Sequence, residues 1–303
     1  MLKKVIVGHD GRAGGDDALA LARVLAPDAE LVLANAYPYD AQPSRAALLG
    51  FANALRDDAL EALHHVRDAA NLPQARTVVV ADTVPARGLH RLADDEHADL
   101  LVLGSAHHGA LGRMLLGDVS RAALHGSPCP VAVAPRGFSV GQLATIGVAC
   151  NNEPEAKLAV KVAAELAAGL DARLVVRDVV ESDLWPAFGG YPVAINLDEV
   201  LEEVREGAQQ RLEETCAGLP GQIEPSAVVG STAEKLNALA GEVDLLVCGS
   251  RGWGAIRRTV LGSTADRLIH QAPCPVLVVP RTATVVEPDI PVEAATGALD
   301  QPH

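Results

Sequence analysis

The chain has 303 residues, enough for two ordinary domains, and 49% of it is apolar while aromatics make up only 3%, so a core has to be built from Ala, Val and Leu. A formal net charge of −14 argues against nucleic acid or an anionic membrane surface as the main partner, since both reward a basic face. It leaves room for a small anion held locally by oriented backbone dipoles. No apolar run approaches a membrane span, and the opening MLKKVIVGHDG is too short in apolar residues for a signal peptide. The cysteines number five, with no secretory feature beside them; Cys129 and Cys274, equivalent in the two copies, read as buried small residues, and disulfides are not expected in a reducing compartment. The expected location is cytoplasmic.

Taken in order, Leu2 to Gly8 is an apolar strand and Gly14 to Leu25 carries a helical pattern, with Ala18, Leu21, Ala22 and Leu25 on one face. A strand from Ala29 to Tyr37, a long amphipathic helix from Ser44 to Ala70, a strand from Arg76 to Ala81 and a helix from Pro85 to Glu96 follow. Asp99 to Gly104 is a fourth strand, Asp118 to His125 a helix, and Pro130 to Pro135 a fifth strand. The same order then repeats. Strands are expected at Thr145 to Ala149, Ala172 to Val180, Glu224 to Val229, Val243 to Gly249 and Pro275 to Pro280. Helices are expected at Pro154 to Ala168, Leu197 to Ala217, Thr232 to Ala240 and Ser263 to His270. Residues 98–135 and 243–280 agree at roughly half their positions without a gap, which marks a duplicated domain and not a solenoid.

Strands apolar on both faces, alternating with helices, predict a parallel sheet covered on both sides. The expected fold is α/β, with two tandem doubly wound five-stranded domains at 1–137 and 143–282, related by a pseudo-twofold axis, and a disordered acidic tail at 283–303. The joint from Arg136 to Gln142 is short, so the two units are neighbours. The fifth strands, Val131-Ala132-Val133-Ala134 and Val276-Leu277-Val278-Val279, are apolar edges that need a cover. Pairing one with the other within the chain supplies it; a homodimer is a further expectation.

The stretch 249–264, GSRGWGAIRRTVLGST, lies between a strand and a helix. A glycine-rich loop in that place gathers backbone N–H groups and a helix N-terminus around one point, which suits phosphate. The spacing is Gly249, two residues, Gly252, nine residues, then Gly262, Ser263 and Thr264. It is neither a Walker A loop nor the dinucleotide fingerprint. This spacing after the fourth strand, with the PCPVLVV ending, resembles the universal stress protein family, and most closely its tandem members. The resemblance covers nearly all of the chain except the tail, and implies an adenine nucleotide alpha hydrolase-like fold.

The resemblance also implies ATP, alone or with Mg, as the ligand. Gly249 and Gly252 would let the backbone approach ribose and phosphates beside Arg251, and Gly262, Ser263 and Thr264 would bind phosphate. An Asp after the first strand belongs near the adenosine: Asp10 in the first copy, replaced by Asn151 after Ala149 in the second. Adenine would lie on backbone near Ala36 and Val179. The first copy, GSAHHGALGRMLLGDV at 104–119, keeps Gly104 and Gly117 but has His107 and Asp118 where Gly252 and Ser263 stand. Asp118 would repel phosphate, although Asp also suits a helix cap. The second copy is therefore the better site.

Bland readings stand beside these. A lone glycine after a strand, Gly249 included, can simply make a turn, and Asp10 can simply cap the first helix. His107 and His108 have no ligand-spaced partner and read as solvated, so no metal site is expected. Trp253 can stack on a ligand or cover the loop. Neither a Ser-His-Asp set nor paired carboxylates stand beside the loop. The expectation is a regulatory nucleotide binder with a stress-response role and no catalytic residue; a slow ATPase or phosphotransfer enzyme, and a ligand-free dimerising module, are the alternatives.

Overall fold

The computed structural model describes residues 2–37, 46–105, 116–139, 141–182, 196–252, 259–260 and 272–281. The first half runs β1 (Lys4–Gly8), α1 (Ala13–Leu25), β2 (Glu30–Tyr37), α2 (Ala46–Ala69), β3 (Arg76–Ala81), α3 (Pro85–Asp95), β4 (Leu100–Gly104), α4 (Asp118–Ala123) and β5 (Val131–Ala134). The second runs β6 (Thr145–Ala149), α5 (Pro154–Gly169), β7 (Arg173–Glu181), α6 (Leu197–Cys216), β8 (Gln222–Gly230), α7 (Thr232–Glu242), β9 (Leu245–Gly249), a small ribbon of β10 (Arg251–Gly252) and β11 (Thr259–Val260), and β12 (Val276–Val279). Prolines at the first turn start α3 and α5, where the missing N–H costs nothing. Left-handed residues close helices behind them: Asn71 after α2, His97 after α3 and Asp171 after α5.

Among the described residues, all strands except the ribbon form one sheet, in the order β3-β2-β1-β4-β5-β12-β9-β6-β7-β8. Every pair is parallel except β5 with β12. The register of that antiparallel pair is Val131 to Val278, Ala132 to Leu277 and Val133 to Val276. Ala132 and Leu277 are equivalent positions of the duplication, so the pairing is self-complementary about its centre, as a twofold contact must be. Neither strand leaves an edge open; the outer edges are β3 and β8. β8 carries Pro225, which an edge strand tolerates because one side of its ladder needs no partner.

Alternation of side chains divides the core into one layer on each face of the sheet. One layer holds α1 and α5 residues over Val5, Val7, Ala132, Leu277, Val148 and Val247. The other holds α3 and α7 residues over Ile6, Leu101, Val133, Leu246 and Val276. Both layers run across the seam, so the two halves share their core. The duplication extends to polar ties. Asp99, ahead of β4, accepts from the Lys3 and Lys4 amides at 2.7 and 2.8 Å, and Asp244, ahead of β9, accepts from Ala144 and Thr145, both at 2.9 Å. These carboxylates lock the start of each half's central strand.

The joint is held as well. Asp17 on α1, buried, accepts the Gly137 N–H at 3.0 Å. Burial pushes its carboxyl above the ordinary range, against the pull of the Gly137 and Phe138 amides. A cavity of about 140 Å³ lies at the seam, at the amino-terminal ends of β1 and β4, lined by Leu25, Leu100, Val162, Leu166 and Leu277 among others.

Candidate functional site

In each half the chain winds outward from a central strand in one direction and then the other. The order reverses between β1 and β4 in the first half and between β6 and β9 in the second. Crevices outside the carboxyl ends of strands at such a reversal are where doubly wound folds take ligands. Asp10 follows β1, Ala36 lies on β2, Gly104 ends β4, and Gly117 stands just before α4. In the second half Ala149 ends β6, Asn151 follows it, Val179 lies on β7 and Gly249 ends β9. Each half thus brings its own candidates to one end of its sheet. Gly262, Ser263, Thr264, Trp253, His107, His108 and the tail 283–303 lie outside the described residues.

The two residues after the central strands do the same local job. The Asp10 carboxylate accepts the Arg12 N–H at 3.2 Å, and the Asn151 amide oxygen accepts the Glu153 N–H at 3.3 Å. Either side chain folds the strand-to-helix connection into a tight turn, which Asp and Asn manage equally well. The exchange of Asp for Asn therefore preserves the backbone while removing the charge.

Gly104 and Gly249 have a packing role beside the one their motif suggests. A β-carbon on Gly249 would stand 2.6 Å from the Glu155 carbonyl oxygen, and one on Gly104 would stand 1.8 Å from that of Gly14. Both glycines let the first turn of a helix, α5 or α1, press against the strand end. They shape the floor of the crevice by admitting a helix.

Ala36 and Val179 lie within strands, as their expected bounds place them. β2 and β7 outrun β1 and β6, and ladder pairing continues on their far side to Tyr37–Ala81 and Glu181–Gly230. The alternation of a parallel ladder still serves the crevice. The Ala34 carbonyl accepts the His9 N–H and the Arg177 carbonyl accepts the Cys150 N–H, both at 2.8 Å. Two residues further on, the backbone groups of Ala36 and Val179 are directed to that same side, past the ends of β1 and β6.

Three differences separate the halves. His9, 3% exposed, directly follows β1, where Cys150 follows β6. Its Nδ1 accepts the Gly11 N–H at 3.0 Å, which leaves Nε2 to face the Asp16 carboxylate at 3.2 Å. Second, the Ser120 hydroxyl donates to the Gly104 carbonyl at 2.7 Å and ties α4 to the end of β4; the equivalent position in the second half is Ala265, with no hydroxyl. Third, the expected cap Asp118 is not the cap: Gly117 takes that place and Asp118 is the first helical residue, without a side-chain capping bond. Its carboxylate is favoured there by the helix dipole.

One pair of residues escaped the sequence reading. Ser105 and Ser250, directly after Gly104 and Gly249, have buried hydroxyls with no hydrogen-bond partner among the described residues. The signal was available, since the Gly-Ser pair recurs in both copies. The stretch 249–264 also carries local order that its composition hides: Arg251 pairs with Val260 and Gly252 with Thr259 in the β10–β11 ribbon. The cysteines offer no nucleophile. Burial pushes the thiols of Cys150, Cys248 and Cys274 up to about 12 and that of Cys129 to about 11. Among the described residues no three His, Cys, Asp or Glu side chains gather as a metal site, and no helix is long and apolar enough to cross a membrane.

The two halves match one family separately, at residues 1–135 and 143–280, and that family is the universal stress proteins. The chain belongs to the universal stress protein family. One universal stress protein of Mycobacterium tuberculosis is 31% identical over 188 residues, 60% of this chain and 61% of its own length. The match thus spans about three fifths of that relative. Another universal stress protein from the same organism is 28% identical over 237 residues, 76% of each chain. The crystal structure of a universal stress protein from Archaeoglobus fulgidus superposes with a TM-score of 0.65 at 19% identity, covering 92% of this chain and 98% of that one. At that identity the likeness concerns the fold. In this universal stress protein, then, the crevices lie at the carboxyl ends of a shared ten-stranded sheet, one per half.

Proposed function

We propose that the chain is a regulatory, ATP-binding protein with a stress-response role, and that its better nucleotide site lies in the second half. In this reading the adenine rests on the Val179 backbone, the ribose lies beside Ala149 and Asn151, and the phosphates meet Gly252, Gly262, Ser263 and Thr264. The observation that carries it is the Ser250 hydroxyl, fully buried and without a partner among the described residues, directly after the carboxyl end of β9. A buried hydroxyl left alone is uncommon, and a ligand oxygen is the kind of group it lacks. Ser105 repeats the feature in the first half. There, however, the Ser120 bond closes the end of β4 and Asp118 adds a carboxylate. No catalytic residue and no Mg ligand are assigned.

The test is the adenine nucleotide content of the purified chain by mass spectrometry, with ATP titration by calorimetry. We expect one ATP per chain. Ser263→Asp should raise Kd by at least about tenfold, and Asp118→Asn should leave it unchanged. Ser250→Ala should weaken ATP without lowering Tm, because the hydroxyl has no protein bond to lose. No nucleotide and no binding heat would refute the reading; two sites per chain would refute the preference for the second half.

A further inference from the structure

The second half carries a groove that the nucleotide reading does not use. It lies between α5 and α6, has a volume of about 430 Å³, and is lined by Asn152, Lys157, Lys161, Arg211, Glu214 and Thr215, with Leu219 at its end. That size is in the range of small-molecule sites. Three cations face one carboxylate, on a chain whose net charge is −14. No carboxylate among the described residues stands within ion-pair distance of Lys157, Lys161 or Arg211.

On the α5 side the first half carries different residues. The helix contacts at Gly104 and Gly249 make Gly14 and Glu155 equivalent, which sets the correspondence at 141 positions. Asn152, Lys157 and Lys161 then stand where the first half has Gly11, Asp16 and Ala20. Asp16 there is engaged with His9. The duplication has thus exchanged a carboxylate for a lysine and an alanine for a second lysine, one turn apart on the same helix face. Arg211 joins them from α6, and its field also reaches the half-buried Asp178 carboxyl, which burial raises and Arg211 lowers.

We infer that the groove between α5 and α6 of the second half binds a small, multiply charged anion of the phosphate-ester or polyphosphate class, separately from the nucleotide crevice. Three cations on two fixed helices present their charge at one concave place, which suits a compact ligand with more than one anionic group. A nucleic acid or an anionic membrane meets the field of the whole acidic chain instead. Beyond about 8–10 Å that field is screened at ordinary ionic strength, so it does not repel a small ion already at the groove.

Calorimetric titration of the intact chain with inorganic phosphate, pyrophosphate and tripolyphosphate tests this. Pyrophosphate and tripolyphosphate should bind at least about tenfold more tightly than phosphate, and Lys157→Ala combined with Arg211→Ala should raise the pyrophosphate Kd at least about tenfold. Lys3→Ala, an exposed lysine outside the groove lining, should change it by less than about twofold. Saturating ATP and the Ser263→Asp variant should leave pyrophosphate binding in place. Displacement by ATP, loss in Ser263→Asp, an equal effect of Lys3→Ala, or no pyrophosphate heat at all would each overturn the proposal. If ATP fails to bind while pyrophosphate binds and depends on Lys157 and Arg211, the nucleotide reading falls and the groove stands.

Discussion

Replacing Gly249 with alanine separates the two roles open to the first glycine of the motif. The new methyl would stand 2.6 Å from the Glu155 carbonyl oxygen, 2.9 Å from its carbon and 3.3 Å from the Ala156 nitrogen. Ordinary contact begins at 3.4 Å, so the shortest of these leaves a deficit of about 0.8 Å. The obstructing atoms are backbone, so no side chain can swing away; the first turn of α5 has to retreat from the sheet. Overpacking of this kind costs about 1–3 kcal/mol. At about 2–4 °C per kcal/mol for chains of this order, Tm should fall by about 2–12 °C. Gly104→Ala meets Gly14 oxygen at 1.8 Å, a deficit about twice as large, and should lose more. Gly241→Ala near the end of α7 meets nothing within 4 Å and should gain up to about 1 kcal/mol from helix propensity. Scanning calorimetry and urea unfolding without nucleotide measure all three. Unchanged stability in Gly249→Ala together with lost ATP binding would refute the packing role and return the glycine to the ligand.

Asp82, almost fully buried, is held below the ordinary carboxyl range first by its hydrogen bonds to Arg87, then by the Val84 amide, against desolvation. A depressed folded value stabilises above the unfolded value near about 3.9 and is lost as pH falls through the folded one. Asp82→Asn should therefore lower Tm at neutral pH, and the gap to the parent should close as pH falls through the depressed folded value in thermal unfolding. Asp17 has the opposite sign: its raised value means that the parent gains stability as pH falls through it and gives it up as pH rises. Asp17→Asn keeps the acceptor for Gly137 and should match or exceed the parent at pH 7, whereas Asp17→Ala should lose about 0.5–1.5 kcal/mol in urea unfolding. Leu277→Ala, at the centre of the seam and 2% exposed, should cost about 2–5 kcal/mol by the same measurement, and a smaller loss would show that the two cores are not one.

The positions at the candidate site were legible to different depths. Asp10 and Asn151 were visible as residues after a strand, and their turn-forming role follows from side chains that bond their own backbone two residues on. His9 was not legible, because nothing local says that an imidazole at a strand end is sealed under Gly15 and braced by Asp16. The basic groove was invisible too: Lys157 and Arg211 are 54 positions apart and meet only when α5 and α6 lie side by side.

By itself the sequence determined what depends on neighbours along the chain. Helix and strand periods, the duplication, the parallel halves and the tie of each loop to a strand end all follow from short-range pattern and repetition. Tertiary structure alone decided the remainder, because each such feature is a contact between distant segments. It set the antiparallel register of β5 on β12 about Ala132 and Leu277, which the expected pairing of these strands left open, making one sheet of two. It assigned Gly104 and Gly249 to Gly14 and Glu155, where only a missing β-carbon allows a helix to close on a strand. The physical reason is one of range: a period is written in adjacent residues, while a steric fit is written in two surfaces that meet after folding.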